Sequence, residues 1–257
     1  MDHPLGKEKL SKLIIQYSIP SIISFVVNSL YNMVDQVFIG QGVGYLGNAA
    51  TNVIMPLTTI MLALGLMIGD GAAAFMSLNL GKGHKKEARK SVGNMCVLTL
   101  IAGILLMILF ELFLRPLALL FGATENVMPY ALNYGRITVL GFPFYAVSIA
   151  FASIIRADGR PNETMRGLLI GCITNIILDP VFIFVFHMGV QGAAWATIIG
   201  QFLNAVYFAV CIFRFKTFDL KAEDIKLDRK TSTRIITLGA SKLYYADRSC
   251  TGNWRYE

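Results

Sequence analysis

Two aspartates lie inside long apolar stretches of the sequence, Asp35 and Asp179. They occur in nearly the same local string, DQVFI and DPVFI. A charge at the centre of a membrane helix costs from about 2.5 to more than 10 kcal/mol, so such a residue is a functional candidate by default. The alternative is that both aspartates only hydrogen-bond neighbouring helices.

Three uncharged oxygen-bearing side chains are predicted at a similar depth, Asn175, Thr197 and Tyr134. Asn175 precedes Asp179 by four residues, so both face the same side of one helix. An oxygen-rich cluster of this kind can bind a hard cation such as sodium. Its carboxylates, removed from water, can instead take up protons. Helix–helix hydrogen bonding without any ion remains the alternative.

The elements that would position these residues are membrane-spanning helices. Hydrophobic residues make up 55% of the 257-residue chain and charged residues only 15%, whereas soluble domains carry about 25%. A membrane helix needs about 20 apolar residues. Six runs meet this length, roughly 14–40, 49–79, 91–114, 124–155, 166–187 and 190–214. We therefore predict an all-α polytopic membrane helix bundle with about six transmembrane helices.

The number of lysines and arginines alternates between high and low from one connection to the next. The connection around 80–90 holds five, whereas 41–48 and 188–189 hold none, and further basic residues follow residue 214. The positive-inside rule then predicts a multi-pass plasma-membrane protein with a cytoplasmic N-terminus. This topology puts Asp35 and Asp179 in the outer half of the bundle. The net charge of +7 is attributed to loops facing anionic lipid, so no nucleic-acid partner is expected.

Two prolines are predicted to kink the helices that carry the aspartates. Pro20 lies fifteen residues before Asp35, and Pro180 directly follows Asp179. A proline removes a helical hydrogen bond, and a kink can give a helix two bent states, as alternating access requires. A static kink is the alternative.

Other candidate chemistry in the sequence is weak. The four cysteines form no CxxC pair, and neither a zinc site nor a disulfide framework is expected. Asp70 does not complete the GxGD motif of intramembrane proteases because residue 67 is Met. We therefore predict that the protein is not an enzyme. Gly65, Gly69 and Gly71 are expected to allow close helix packing, and Asp70 to have a packing or cavity role. Glu111 and Arg115 are expected to form an ion pair.

The chain divides into three predicted regions. Residues 1–214 form an N-terminal transmembrane lobe, and residues 215–234 a cytoplasmic amphipathic linker. Residues 235–257 are interpreted as the start of an interrupted seventh helix followed by an aberrant tail, because the apolar run beginning at Ile235 stops at Ala240.

Several stretches resemble the multidrug and toxic compound extrusion (MATE) family. They are YSIPSIISFVVNSLYNMVDQVFIG, GKGHKKEARKSVGN, ASIIRADGRPNETMRG, TNIILDPVFIF and GVQGAAWATIIGQ. The resemblance covers about residues 7–240 and implies one lobe of a two-lobed, twelve-helix transporter, with the C-terminal lobe missing. The N-terminal lobe of that family has a cation- or proton-coupling site. The resemblance implies that the site here is formed by Asp35, Asn175, Asp179 and Thr197, with Tyr134 nearby.

These observations favour a secondary antiporter that exports cationic or amphipathic compounds, driven by sodium or proton entry. Its partners would be the lipid bilayer and small organic cations, and its only cofactor the coupling ion. Two alternatives stay open. One is a truncated, inactive fragment of such a transporter. The other is a lipid-linked sugar flippase of the wider superfamily, which is expected to carry more arginines in mid-membrane than this sequence does.

Overall fold

The computed structural model describes residues 10–213 and 224–250. Within these residues the chain is built from helices. They are α1 (Leu10–Gly42), α2 (Tyr45–Gly81), α3 (Lys85–Leu112), α4 (Leu114–Leu120), α5 (Met128–Leu140), α6 (Phe142–Ala157), α7 (Pro161–Pro180), a π-helical segment (Val181–Val185), α8 (Val190–Phe213) and α9 (Arg229–Cys250). Residues 1–9, 214–223 and 251–257, which include part of the predicted linker and tail, lie outside the described residues.

The predicted all-α membrane bundle is confirmed. Among the described residues, five segments are long and apolar enough to cross a membrane, and a sixth crossing results if α5 and α6 form one broken span. The five segments are Ser18–Gly42, Tyr45–Gly81, Lys85–Leu112, Pro161–Val185 and Val190–Phe213. Their loops alternate between two ends of the bundle. By the topology predicted above, the loops at 43–44, 121–127 and 186–189 mark the outer end.

The fourth predicted run, 124–155, is not one straight helix. It divides at Gly141 into α5 and α6, which are bent by 52° relative to each other. Pro143 explains the break, since it has no N–H to donate and its ring clashes with the carbonyl four residues earlier. Proline is well suited to the first turn of a helix, and Pro143 occupies this place in α6.

Glycines allow the closest helix contacts, as predicted. A Cβ atom on Gly69 would lie 2.7 Å from the Cα atom of Ala150 in α6. A Cβ atom on Gly71 would lie 2.1 Å from the carbonyl oxygen of Ile235 in α9. These positions admit no side chain, so α2 packs directly on the backbones of two partners.

Helix α9 begins earlier and ends later than the sequence suggested. The linker was expected to reach residue 234, but the helix starts at Arg229 and continues through Cys250. Asp228 provides the start signal, because its carboxylate accepts hydrogen bonds from the backbone N–H of Thr231 at 3.0 Å and from the Thr231 hydroxyl at 2.6 Å. This is an N-cap, which satisfies an N–H group that the first helical turn leaves unpaired.

The predicted ion pair between Glu111 and Arg115 is replaced by another. Glu111 lies 3.7 Å from Arg136 of α5. The i, i+4 argument fails because α3 ends at Leu112, so Arg115 belongs to the separate helix α4 and no longer follows Glu111 on one helical face.

Candidate functional site

The two aspartates predicted to bind the coupling ion meet between α1 and α7, which pack along each other. Asp35 is 6% exposed and Asp179 is fully buried. Their carboxyl groups are close enough to be hydrogen-bonding partners. Among the described residues, the Oδ1 atom of Asp35 has no hydrogen-bond partner. The site therefore combines two contacting carboxyl groups with one unsatisfied buried oxygen.

Asn175 links Asp179 to helix α8. In the amide orientation that satisfies both ends, Asn175 Nδ2 donates to Asp179 Oδ2 at 2.8 Å. Asn175 Oδ1 then accepts hydrogen bonds from the Thr197 hydroxyl and the Thr197 backbone N–H, each at 3.2 Å. The four residues expected at one depth, Asp35, Asn175, Asp179 and Thr197, are therefore together in the folded chain.

Two tyrosines border the carboxyl pair. Tyr134, predicted from α5, is buried and lies close enough to Asp35 and Asp179 to interact with both electrostatically. Tyr31 was not singled out from the sequence, yet its hydroxyl shares a hydrogen bond with Thr197. Its spacing was the available signal, since Tyr31 precedes Asp35 by one helical turn and shares its face. We use the name α1–α7 cluster for six residues, which are Tyr31, Asp35, Tyr134, Asn175, Asp179 and Thr197.

Gln36 is a second residue that the sequence analysis missed. Its side chain exchanges hydrogen bonds with the Thr51 hydroxyl at 3.2 Å, and it also hydrogen-bonds Asp35. This connection joins α1 to α2 immediately beside the carboxyl pair. A change in the charge of Asp35 would therefore alter contacts that join three helices, α1, α2 and α7.

The two predicted kink residues lie at different distances from the cluster. Pro20 is fifteen residues before Asp35, roughly 22 Å along α1, and is buried in an unbroken helix. The Ser24 hydroxyl donates to the Pro20 carbonyl oxygen at 2.7 Å. Pro180 ends α7, and the π-helical segment follows at once. The irregular backbone thus adjoins Asp179 and not Asp35, and π-helical turns are frequent at functional sites.

The cluster has the kinds of groups that can bind a monovalent cation or a proton. Two buried carboxylates in contact cannot both stay ionised unless a proton or a cation offsets their repulsion. The remaining groups are neutral oxygens of an amide, a threonine and tyrosines, which are ligands that a hard cation prefers. A sodium ion would be held by Asp35, Asn175, Asp179 and Thr197 and would supply the missing positive charge. The unsatisfied Oδ1 atom of Asp35 fits either occupant.

Comparison with known proteins identifies the family. The MatE family profile matches residues 20–181, which is more than half of the chain. The multidrug export protein MepA of Staphylococcus aureus is 31% identical over 223 residues, covering 86% of this chain and 49% of MepA. The probable multidrug resistance protein YoeA of Bacillus subtilis is 26% identical over 249 residues, covering 92% of this chain and 54% of YoeA.

Solved structures agree with this result. The crystal structure of a MATE protein in the bent conformation superimposes with a TM-score of 0.84 at 27% identity, covering 93% of this chain and 54% of that one. The predicted architecture, one lobe of a two-lobed transporter, is confirmed by this match. The chain spans about half the length of the relatives that it matches. It is a multi-pass membrane protein and belongs to the MatE family.

Proposed function

We propose that this chain forms the ion-coupling lobe of a multidrug efflux antiporter. The observation that carries the proposal is the buried contact between Asp35 and Asp179, in which one carboxylate oxygen has no hydrogen-bond partner among the described residues. In this proposal sodium or proton entry drives the export of cationic or amphipathic compounds. The lobe lies in the plasma membrane with its N-terminus in the cytoplasm, and a second lobe completes the transport path.

Coupling would operate through the occupancy of the carboxyl pair. An empty, doubly charged pair repels itself and favours separation of α1 from α7, whereas a bound cation or proton holds the two helices together. Ion binding shifts a conformational equilibrium only if the two states differ in ion affinity. The hydrogen bonds from Gln36 to Thr51 and from Thr197 to Asn175 would transmit the change to α2 and α8.

Efflux of ethidium, a cationic dye, from cells tests the proposal. With a second copy of the chain taking the place of the second lobe, cells that express the chain should retain less dye than cells with an empty vector, and Asp35→Asn should abolish the difference. Glu111→Gln is the matched control, because Glu111 is a partly exposed carboxylate outside the cluster. If Asp35→Asn exports dye as well as the unaltered chain does, the coupling role fails.

The same experiment separates the antiporter from an inactive fragment. If cells with the unaltered chain retain as much dye as empty cells, this chain does not transport by itself. If the chain does transport dye, proteoliposomes identify the coupling ion, because a sodium gradient and a pH gradient can be imposed separately. A rate of dye transport that responds to neither gradient would contradict ion coupling.

A further inference from the structure

A second polar site lies at the end of the bundle where α3 begins, away from the α1–α7 cluster. A cavity of about 320 Å³ opens there between the first turns of α3 and the segment that precedes α9. Its volume is at the lower end of the range of about 300–1,000 Å³ that is typical of small-molecule sites. We call it the α3 pocket, and its described lining residues are Lys86, Lys90, Asn94, Asp224, Lys226 and Asp228.

The α3 pocket exists because the segment 224–228 crosses directly over α3. A Cβ atom on Gly93 would lie 1.9 Å from the Asp224 carbonyl oxygen, so only glycine allows the two backbones to approach this closely. The Asp228 backbone N–H donates to Asn94 Oδ1 at 2.7 Å and fixes the other end of the segment. The segment therefore forms a wall beside the lysines in the first turns of α3.

Two of the three lysines in the pocket have no partner of opposite charge. Within the described parts of the chain, the ammonium groups of Lys86 and Lys226 take part in no hydrogen bond or ion pair. Lys90 donates to Glu87 Oε1 at 3.1 Å, in a partly exposed i, i+3 pair that leaves further N–H donors of the ammonium group available. The pocket therefore keeps positive charge that an anion can use.

The two acidic residues of the pocket are held by other groups. Asp224 Oδ2 lies 3.8 Å from Arg89 Nε, and the Asp228 carboxylate accepts the two hydrogen bonds from Thr231 that cap α9. With Arg89 and Glu87 included, the group has four positive and three negative charges. One positive charge is left over, which matches the single negative charge of a phosphate diester.

The pocket lies at the level of the lipid head groups. The span Lys85–Leu112 has 28 residues, roughly 42 Å at 1.5 Å per residue, whereas the hydrocarbon core is about 30 Å thick. Because the apolar part of this span begins after Lys90, Lys86 and Lys90 lie beyond the hydrocarbon core. Under the topology predicted from the loop charges this end faces the cytoplasm, and the cytoplasmic leaflet carries anionic lipid.

An apolar surface continues from the pocket along α3. Ile104 and Ile108 follow Lys86 and Lys90 by eighteen residues, which is about five helical turns, so these residues share one face of the helix. Both isoleucines are exposed, and so is Leu227 in the segment beside the pocket. This surface can contact the acyl chains of a lipid whose phosphate is in the pocket, a contact that a free phosphate ion would not make.

We propose that the α3 pocket binds an anionic phospholipid, with Lys86 and Lys226 on its phosphate oxygens and its acyl chains along Ile104 and Ile108. Ammonium groups bind phosphate through charge-assisted hydrogen bonds. Basic pockets between membrane helices on the cytoplasmic side hold lipid head groups in this way. A bound lipid would join α3 to the segment that leads into α9. The proposal requires only a membrane location and does not depend on ion coupling or on drug export.

Native mass spectrometry of the purified chain in detergent tests the head-group preference. The probes are palmitoyl-oleoyl phosphatidylglycerol, which is anionic, and phosphatidylcholine with the same acyl chains, which is zwitterionic. The first molecule of phosphatidylglycerol should bind about tenfold more tightly, the effect of one charge-assisted hydrogen bond. Lys86→Gln and Lys226→Gln should each remove most of this preference. Equal affinity of the unaltered chain for the two lipids would overturn the proposal.

Lys82→Gln and Lys85→Gln are the matched controls. Both lysines are exposed at the same end of the bundle but do not belong to the described lining of the pocket. Each control removes the same charge and should leave the preference unchanged, with helix content and elution volume as the check on folding in all four variants. An equal loss of preference in the controls would show a diffuse attraction to the basic surface and refute a defined pocket.

Glycerol phosphate distinguishes a lipid from a free phosphate compound. It carries the phosphate group without acyl chains, so it should not displace phosphatidylglycerol even in large molar excess. Ile104→Ala should weaken the binding of both lipids severalfold and leave the head-group preference unchanged, because it removes apolar contact only. Displacement by glycerol phosphate, with no effect of Ile104→Ala, would identify a soluble phosphate compound as the ligand and overturn the assignment to a lipid.

Discussion

The α1–α7 cluster and the junction between α3 and α9 are both buried polar sites, but they differ in how many of their polar atoms have hydrogen-bond partners. At the junction Asn94 is 1% exposed, and its Oδ1 atom accepts hydrogen bonds from the Asp228 backbone N–H at 2.7 Å and from the Ser232 hydroxyl at 3.1 Å. Its Nδ2 atom donates to the Lys90 carbonyl at 3.0 Å. In the cluster, by contrast, two carboxyl groups meet, and Asp35 Oδ1 has no hydrogen-bond partner within the part of the chain that the structure describes.

This difference separates a structural contact from a candidate ion site. A buried amide with its hydrogen bonds made fixes two helices together, and it has nothing left to offer a ligand. A buried pair of acidic groups with an unsatisfied oxygen gains most when a cation or proton arrives. We therefore expect changes at the junction to alter stability, and changes in the cluster to alter the response to ions.

The largest expected effect is at the packing contact that supports the junction. A Cβ atom on Gly239 of α9 would lie 1.9 Å from the Met67 carbonyl oxygen of α2. Because backbone atoms cannot move aside, Gly239→Leu should separate α9 from α2 and lower the free energy of unfolding by about 3 kcal/mol or more. Thermal denaturation in detergent measures the change. Gly81→Ala, which has open space around it, is the control and should leave stability nearly unchanged.

Asn94→Leu tests the hydrogen bonds of the junction themselves. The three bonds of Asn94 contribute about 1 kcal/mol each, so their loss should cost about 3 kcal/mol. Asn52→Leu provides the comparison, because Asn52 is exposed and donates only to the Asn48 carbonyl of its own helix. A thermal midpoint that falls equally in both variants would show that the junction is no stronger than a surface contact.

The cluster should respond to ions where the junction does not. Sodium chloride, compared with choline chloride at equal ionic strength, should raise the thermal midpoint of the unaltered chain. At a concentration 100 times the dissociation constant, one bound ion adds about 2.7 kcal/mol. Asp35→Asn should remove this increment without lowering stability in choline chloride. If sodium has no effect, the midpoint should instead rise on acidification, and the absence of both responses would contradict an ion site.

The smallest effect is expected from the pH dependence of the junction. Hydrogen bonds from the Thr231 hydroxyl and N–H hold the pKa of Asp228 below its usual value of 3.8. A lowered pKa stabilises the fold above about pH 4, and this stabilisation is lost as the pH falls further. The midpoint should therefore drop more between pH 6 and pH 3 in the unaltered chain than in Asp228→Asn, which keeps an uncharged cap. Parallel pH profiles of the thermal midpoint in the two proteins would show that the charge of Asp228 does not contribute to stability.

Much of the fold and of the candidate cluster could be predicted because the signals are local. The length of each apolar run indicates a membrane helix, and the alternation of basic loops predicts which ends lie together. Asp35 and Asp179 stand out because a charge in an apolar run is conspicuous. That Asn175 and Asp179 share one face of a helix follows from their spacing of four residues. The roles of these residues in ion coupling stay predictions.

Only the tertiary structure showed how the helices turn toward one another. It revealed the break at Gly141, the place of Tyr31 in the cluster and of Gln36 beside it, and the junction at Asn94. Hydrophobic periodicity carries little of this information, because in lipid the outward face of a helix is as apolar as its packed face. Rotation and crossing are then decided by close contacts such as Gly69 on Ala150 and by hydrogen bonds between helices, and both depend on residues far apart in the chain.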